Sequence, residues 1–438
     1  MNGGINIRHD DQFRSSDGNE SLNIRRLVTT VFILSVLVLS FSSLDSSNRV
    51  RATNLEFVKG VGFPSFTPNG YESTDASGQL QLVPGLGADW VAIIVTLYQD
   101  TGTSTTQYND LTKTPSDVSL TTIIGLAHSL GLKVLLKPHL GVLDGTNHQD
   151  IHPSDVNAWF QSWNQNMLHY AQLAAQTNVE MFWIGGELDT MDGYATNWRQ
   201  IVSDVRGVYS GPLVYGSSQK MQHFMTITWW DAVDYAGIDA YFPLATQTNN
   251  PTLEDLNASW ATEIKFLNTW QATINKPVIF TEIGYSSIVG ANVNPAITIQ
   301  QINAQDIPID LNLQDLLYTS MFQKLYAIPW FRGMFIWFWP TKTNLQGPND
   351  RGFSPQGKPA QDVLTQWYHQ DWNSPRSSES GVTSTTNTES SANTTTGSNT
   401  LQTPTILGFP WESILLGIII GLTALALARR RRTSDRRL

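Results

Sequence analysis

The sequence predicts an α/β protein whose one large domain is a (β/α)8 barrel, the TIM-barrel architecture. Short apolar runs rich in β-branched and aromatic residues alternate with longer segments of helical pattern through the middle of the chain. Eight such runs occur, and eight strands alternating with helices close into a barrel more readily than they form other common α/β architectures. Two of the runs end in glutamate, at the position where such a barrel presents its functional groups.

The predicted barrel covers residues 56–372, a length that fits one domain because a (β/α)8 barrel uses about 250 to 400 residues by itself. No linker-like break interrupts it. The predicted strands are residues 57–63, 90–97, 133–137, 180–186, 213–216, 235–241, 278–281 and 333–337. The predicted helices are residues 116–130, 154–176, 194–209, 253–274, 312–327 and 360–369. The helices after the first and fifth strands have the weakest patterns.

Two helix starts and one helix end carry capping signals. Ser116 and Ser154 stand where N-caps belong, because a hydroxyl can accept a hydrogen bond from a free N–H of the first turn. Gly131 follows the first of these helices, where a left-handed C-cap residue belongs.

Residues 1–50 are predicted to direct export. A polar segment ending in Arg25-Arg26 precedes an apolar run over residues 27–39, which leads into a serine-rich exit. A positive flank, an apolar centre and small residues at the exit are typical of a secretory signal or signal anchor. The part of this segment before the apolar run would be cytoplasmic.

The C-terminal end is predicted to tether the barrel to a membrane. Residues 373–405 are dominated by Ser, Thr, Asn and Gly, a composition that predicts a disordered stalk. Residues 406–428 are apolar over about the length that spans a bilayer. Residues 429–438 form an arginine-rich tail, which the positive-inside rule places in the cytoplasm. We therefore expect a cell-membrane protein with the barrel outside the cell.

Charge and cysteine content exclude several functions. The chain of 438 residues has a formal net charge of -10 and contains no cysteine. A nucleic-acid partner is disfavoured, since phosphate binding needs a basic surface. Disulfides, thiolate nucleophiles and Cys-ligated metal sites are excluded. The 15 Trp and 13 Tyr agree with binding of sugars, whose apolar faces stack on aromatic rings.

Glu187 and Glu282 are the candidate catalytic residues. Glu187 closes the run Met-Phe-Trp-Ile-Gly-Gly-Glu at the end of the fourth predicted strand, and Glu282 closes Pro-Val-Ile-Phe-Thr-Glu at the end of the seventh. Hydrolysis of a glycosidic bond requires two carboxyl groups, one to protonate the leaving oxygen and one to attack the sugar or to activate water. The acid is expected to be held protonated near neutral pH by an apolar setting or a charged neighbour, and the other carboxyl group to be ionised by hydrogen bonds. The pair therefore predicts a glycosidase with a polysaccharide or oligosaccharide substrate.

Further side chains at strand ends are candidates for substrate binding. Trp337 ends the eighth strand and is expected to form the floor beneath the sugar. Tyr241 ends the sixth strand, from which its hydroxyl could reach Glu282 and keep that carboxylate anionic. The remaining candidates are Lys137, His139, Trp230 and Asp239. No His or Asp spacing resembles a zinc or calcium motif, so neither a metal nor a cofactor is expected.

The glutamate motifs, with Gly-Ile-Asp-Ala-Tyr at residues 237–241 between them, resemble glycoside hydrolase family 113 from about Val58 to Trp372. The family is known for β-1,4-mannanase activity and belongs to a clan of retaining glycosidases built on this barrel. The resemblance implies that Glu187 is the general acid/base and that Glu282 is the nucleophile. Many clan members have Asn directly before the acid/base to hold the sugar's 2-hydroxyl, but this chain has Gly186.

The leading hypothesis is a cell-surface retaining hydrolase of β-1,4-mannan or a related β-glycan, which would be endo-acting by the resemblance. One alternative keeps the chemistry and changes the sugar to another β-linked hexoside, such as a glucan or galactan, because one barrel fold serves many substrates. A second alternative is a surface protein that binds glycans without cleaving them. Two intact acids at matched strand ends favour catalysis over binding alone.

Overall fold

The computed structural model describes residues 57–372, which form a closed barrel of eight strands in sequence order. Every neighbouring pair is parallel, and β1 pairs with β8 to close the barrel. The strands are β1 (Val58–Pro64), β2 (Trp90–Gln99), β3 (Lys133–Val142), β4 (Met181–Gly186), β5 (Leu213–Ser218), β6 (Tyr235–Asp239), β7 (Val278–Ile283) and β8 (Phe331–Ile336). The helices are α1 (Thr74–Leu82), α2 (Asp117–Ser129), α3 (Val156–Gln176), α4 (Ala195–Val208), α5 (Leu253–Ile274), α6 (Ile299–Ala304), α7 (Leu311–Leu325) and α8 (Pro359–Tyr368). The predicted (β/α)8 barrel is confirmed.

The structure differs from the sequence prediction mainly in the length of β3 and in the segment between β5 and β6. β3 continues five residues beyond its predicted end, because its ladder with β2 runs on from Val95–Pro138 to Gln99–Val142. Between β5 and β6 the described structure contains only the 3-10 helices Lys220–Met225 and Trp230–Ala232. The weak helical pattern after the fifth strand therefore corresponds to a βα unit without an α-helix.

Two of the three predicted caps are confirmed, and one moves by a residue. The hydroxyl of Ser116 accepts a hydrogen bond from the Ser119 N–H at the start of α2. Gly131 has the left-handed φ of 77°. The N-cap of α3 is Asp155 rather than Ser154, because the Asp155 carboxylate accepts from the Ala158 N–H at 3.0 Å. Asp and Ser are comparable N-caps, so the sequence alone does not choose between the neighbours.

Apolar side chains fill the barrel interior and provide a base for the residues above them. The interior cluster contains Val58, Trp90, Ala92, Ile94, Leu135, Met181, Trp183, Val214, Tyr235, Ile279 and Phe335, and Trp337 packs against it. A second and larger cluster joins the outer faces of the strands to the surrounding helices. The barrel is thus a packed core, and its ligand site must lie at an end, as is usual for this architecture.

Closure of the barrel depends on a glycine in β8. Gly333 has φ of 125°, and a Cβ there would lie 2.2 Å from the Val58 carbonyl oxygen on β1. We expect Gly333→Ala to lower the free energy of unfolding by about 3 kcal/mol, because overpacking adds to backbone strain. Urea unfolding measures the change.

Gly125 provides the matched control for this substitution. It lies on α2, and among residues 57–372 no atom outside its chain neighbours and its own helix backbone approaches within 4 Å of a Cβ built there. Alanine favours helix over glycine by up to about 1 kcal/mol, so Gly125→Ala should be neutral or stabilising. Equal stability of the two variants would show that the contact between Gly333 and Val58 does not limit closure.

The predicted export segment in residues 1–50 and the predicted stalk, membrane span and tail in residues 373–438 lie outside the described residues. Among residues 57–372, no helix combines the length and the apolarity needed to cross a bilayer.

Candidate active site

The ionisable candidates meet at the carboxyl end of the barrel, above the apolar interior. β3 carries Lys137 and His139, β6 ends at Asp239, and β7 contains Glu282. Glu187 directly follows the last residue of β4. Four strands therefore bring their polar side chains to the end at which enzymes with this fold place their active sites.

Glu282 reaches the barrel interior because β7 is irregular. Ile279 belongs to the interior cluster and Phe280 to the outer one, so strict alternation would place Glu282 on the outer side with Phe280. The pairing with β6 shifts, however: Ile238 pairs with Phe280, and Asp239 pairs with Glu282. One extra residue of β7 in this register turns the carboxylate inward, as β-bulges near active sites commonly do.

Both carboxylate oxygens of Glu282 accept hydrogen bonds. The Lys137 ammonium donates to Oε1 at 2.5 Å, and the Tyr241 hydroxyl donates to Oε2 at 2.7 Å. Burial raises the pKa of Tyr241 well above its ordinary value, and the Glu282 charge adds to the effect. The tyrosine therefore stays protonated and reaches Glu282 as the sequence predicted. Two donors, one of them cationic, favour the ionised carboxylate.

Lys137 is fully buried and directs its charge to Glu282. Its ammonium lies 3.6 Å from Asp239 Oδ1 and 3.8 Å from the centre of the Trp183 ring. Burial raises the pKa of Asp239 well above its ordinary value in spite of Lys137, and the charges of Glu282 and Glu187 raise it further. Burial and the neighbouring charges thus favour the neutral form of Asp239, and the shorter contact of the Lys137 ammonium is with Glu282.

Glu187 is held by a separate pair of donors from the loop after β3. Gln149 donates to Oε1 at 2.9 Å, and His148 Nε2 lies 3.1 Å from Oε2. The Glu187 N–H donates to the Gly216 carbonyl at 2.8 Å, and its φ of 52° lies in the left-handed region. A non-glycine residue held in that region is uncommon and recurs at functional sites.

The contact between Glu187 and His148 shifts the pKa of both groups. Burial acts to raise the pKa of Glu187, but the hydrogen bond and charge of His148, with a smaller contribution from the Lys137 charge, lower it to about 2. Burial acts to lower the pKa of His148, but Glu187 raises it above its ordinary value, with smaller contributions from Glu282 and Asp189. The expectation that Glu187 is held protonated was therefore wrong for the free protein: the proton lies on His148.

His139 lies beside this pair and is neutral. Burial, reinforced by the charges of His148 and Lys137, lowers the pKa of His139 to about 3. Its ring is nearly perpendicular to that of His148, with ring centres 4.9 Å apart.

Trp183 explains why glycine precedes Glu187. A Cβ at Gly186 would lie 2.0 Å from Trp183 Cζ2 and 2.5 Å from the Gly216 carbonyl oxygen. The space into which a side chain at this position would project is filled by the indole ring and by the β5 backbone. The asparagine found here in many clan members therefore does not fit this chain.

The two tryptophans predicted to bind substrate, Trp337 and Trp230, differ in exposure. Trp337 is partly exposed and packs on the interior cluster, and its peptide bond to Phe338 is cis. Trp339 is buried, with its N–H bonded to the Gln79 carbonyl. Trp230 is also buried, bonds the Phe224 carbonyl and packs on Trp270, so its predicted substrate-binding role finds no exposed ring face.

Sequence reasoning missed His148 and Gln149, the two partners of Glu187. They lie in a short 3-10 helix, His148–Asp150, in the loop that follows β3. A polar loop after a barrel strand lies on the catalytic face, which is the signal that could have identified them. Their contact with Glu187 spans 39 and 38 residues and depends on the folded loop.

Removal of the Tyr241 hydroxyl tests its contact with Glu282. A hydrogen bond to a charged group contributes about 1.5–3 kcal/mol, so we expect Tyr241→Phe to lower kcat by about tenfold to 100-fold. Tyr285→Phe is the matched control, because the Tyr285 hydroxyl is buried with no hydrogen-bond partner among the described residues. Equal activity of the two variants, measured as release of reducing ends, would rule out a role for the Tyr241 hydroxyl.

The carboxyl end of this parallel barrel holds two carboxylates. One is bonded to lysine and tyrosine, and the other is bonded to histidine and glutamine. A pair of carboxyl groups is the composition of a glycosidase site. The family model of Glycoside Hydrolase Family 113 matches residues 61–358. The chain belongs to glycoside hydrolase family 113, and it is a glycoside hydrolase.

Solved structures agree with this membership. A β-mannanase of the same family from Alicyclobacillus acidocaldarius, in complex with ManMIm, is 26% identical with a TM-score of 0.65, over 72% of this chain and 98% of that one. A complex of a family 113 β-1,4-mannanase is 25% identical with a TM-score of 0.64, over 72% of this chain and 99% of that one. A search of curated proteins found no match.

Proposed function

We propose that this protein is a retaining endo-β-1,4-mannanase in which Glu282 is the nucleophile and Glu187 is the general acid/base. The observation that carries the proposal is the difference between the two carboxylates. Glu282 is bonded on both oxygens to Lys137 and Tyr241, whereas Glu187 shares a proton with His148. One group is thus arranged to remain anionic and the other to exchange a proton, which is the division of roles that retention requires.

In the first step, Glu282 attacks the anomeric carbon while the glycosidic C–O bond breaks and Glu187 donates a proton to the leaving oxygen. Since the free protein holds that proton on His148, it passes across the 3.1 Å contact from Nε2 to Glu187 Oε2. The product is a glycosyl ester of Glu282. In the second step, Glu187 removes a proton from water, the water oxygen attacks the same carbon, and the ester bond to Glu282 breaks. Trp337 provides the apolar surface beneath the sugar.

The solved structures described above support mannan as the substrate, since one is a β-1,4-mannanase and the other a β-mannanase of this family. A second candidate substrate is another β-linked hexoside, such as a glucan or galactan, and Gly186 supports it. The clan asparagine that this glycine replaces holds the 2-hydroxyl, and mannose and glucose differ in configuration at that carbon. A chain that lacks this contact must recognise the position by other groups.

The test is release of reducing ends by the full chain in detergent from β-mannan, glucomannan, cellulose-type glucan, xylan and galactan. Cleavage of mannan with the β-anomer as the first product supports the proposal. Cleavage of glucan or galactan alone would identify that polymer, rather than mannan, as the substrate. An α-anomer formed first would contradict retention. Binding of a polymer without any cleavage would indicate a glycan-binding protein.

We also propose that the barrel is held outside the cell by the apolar segment 406–428, with the arginines of residues 429–438 in the cytoplasm. Protease added to intact cells should then release the barrel, and a chain ending at residue 405 should leave the membrane fraction. Membrane association that persists in this shortened chain would assign the anchor to the apolar run at residues 27–39.

A further inference from the structure

Glu187, His139 and His148 form a compact group of metal-binding atoms at the candidate active site. One ligand atom from each residue lies within 4.8 Å of the other two. One pair, His148 Nε2 and Glu187 Oε2, is 3.1 Å apart. Two ligand atoms bound to one tetrahedral zinc ion at about 2.0–2.1 Å are separated by roughly 3.3 Å. This pair therefore already has nearly the spacing that a shared ion needs.

Contacts behind the group orient two of its three ligands, His139 and Glu187. His139 Nδ1 lies 3.1 Å from the Leu140 carbonyl, which can only accept, so Nδ1 carries the proton and Nε2 keeps its lone pair. Gln149 bonds the other oxygen of Glu187, Oε1, and leaves Oε2 to face His148. A second ring nitrogen bonded to a backbone carbonyl is the usual support of a metal-binding histidine.

We propose that His139, His148 and Glu187 bind one divalent transition-metal ion of the zinc class. Two imidazole nitrogens and one carboxylate oxygen suit Zn²⁺, Ni²⁺ or Cu²⁺, whereas Ca²⁺ and Mg²⁺ require oxygen ligands. Three protein ligands leave a fourth coordination position for water. Sequence reasoning did not expect a metal, because these residues are spread over three separate segments and match no spacing motif.

The bound ion would regulate the site. This consequence rests on the proposed function, in which Glu187 carries the proton for the leaving group. A metal on Oε2 occupies the oxygen that faces His148, so that neither residue can hold the proton. Zinc and glycan would then exclude each other, and hydrolysis would stop until the metal is removed.

The test is calorimetric titration of the full chain with ZnCl2 at neutral pH, for the wild type and for His139→Gln and His148→Gln. We expect one high-affinity site in the wild type and at least a tenfold loss of affinity in each variant. His223→Gln is the matched control, because Asp189, Asp192 and His223 form the other candidate group among the described residues. Its zinc affinity should equal that of the wild type. Circular dichroism confirms that each variant is folded.

Several results would overturn the inference. They are the absence of zinc binding by the folded wild type, undiminished binding in both His139→Gln and His148→Gln, and loss of binding in His223→Gln alone. The visible absorbance of Co²⁺ bound at the site gives a second readout that needs no substrate. A protein that binds Co²⁺ through these residues but cleaves no polymer would refute the proposed function and leave the metal site standing. Cleavage of mannan without metal binding would support the proposed function and refute the metal site.

The inhibition is tested on the active enzyme. Zinc should abolish release of reducing ends by the wild type, EDTA should restore it, and Ca²⁺ and Mg²⁺ should have no effect. The zinc concentration that halves the activity of His139→Gln, measured against that variant's own zinc-free rate, should be at least tenfold higher than the concentration that halves the activity of the wild type. Equal sensitivity of the two proteins to zinc would contradict the proposed mode of inhibition.

Discussion

Replacement of Glu282 by glutamine should lower kcat/KM on the preferred polymer by about 10⁴-fold or more, since loss of a covalent nucleophile removes the route through the glycosyl ester. The amide is nearly isosteric with the carboxylate but cannot form that ester. Its oxygen still accepts a hydrogen bond from Lys137 or Tyr241, the two donors that hold Glu282. The lost activity is therefore chemical rather than structural.

The neighbouring acid keeps this variant folded. Lys137 is buried and loses its anionic partner in Glu282→Gln, and such a loss usually destabilises a protein by several kcal/mol. Asp239 lies 3.6 Å from the same ammonium, and its pKa is raised by burial and in part by the Glu282 charge. Once that charge is removed, Asp239 can ionise and pair with Lys137. The free energy of unfolding should then change by less than about 3 kcal/mol, below the cost of an unpaired buried charge.

Glu263→Gln is the matched control, because it makes the same change on α5, where the carboxyl group is half-buried outside the barrel. It should leave kcat/KM within about twofold, as is usual for substitutions away from a site. Activity of Glu282→Gln within tenfold of the wild type would exclude Glu282 as the nucleophile. Loss of activity together with loss of fold would assign Glu282 a structural role.

The barrel could be predicted because its signal is local and repeated. Runs such as Val-Ala-Ile-Ile-Val-Thr-Leu in β2 are apolar on both faces, which is typical of a strand covered by helices on one side and by a barrel core on the other. Strand ends were less predictable. The last residues of β3 are strand because β2 pairs with them. The sequence of β3 alone does not specify how far this pairing extends.

The site was predictable to the level of its carboxylates. Glu187 and Glu282 were found from their positions at strand ends, and the contact between Tyr241 and Glu282 was found from strand order. The inward orientation of Glu282 was not predictable from alternation, because it depends on the β7 irregularity. The donors to Glu187 come from a loop, and loop conformation follows from tertiary contacts rather than from a periodic pattern.

The protonation states of the site residues could not be predicted from the sequence alone. An apolar strand end suggested that Glu187 would hold a proton, but His148 reverses the effect of burial on its pKa. Asp239 is the opposite case: it lies 3.6 Å from the Lys137 ammonium, yet burial raises its pKa well above the ordinary value. In both cases the sum of burial and neighbouring charges decides the outcome, and the neighbours belong to other strands.

Replacement of Glu187 by alanine should separate the two chemical steps. On polymer, kcat/KM should fall by about 10²–10⁴-fold, the usual contribution of a general acid/base. On an aryl β-mannoside with a strongly acidic phenol the first step needs no proton, so Glu282 still forms the glycosyl ester and the phenol leaves as its anion. The ester then accumulates, because no base activates water. A burst of phenol followed by slow turnover is the expected kinetic result.

Azide added to Glu187→Ala should restore turnover and reveal the stereochemistry. The truncated side chain leaves room for the anion, and removal of the Glu187 carboxylate removes the charge that would repel it. Azide attacks the anomeric carbon of the ester and displaces Glu282, so that two inversions give a β-mannosyl azide. In Glu282→Ala the same anion would attack the substrate once, from the vacated nucleophile position, and give the α-azide. An α-azide from Glu187→Ala would show that Glu187 is the nucleophile and Glu282 the acid/base. The absence of rescue in both variants would contradict a retaining mechanism.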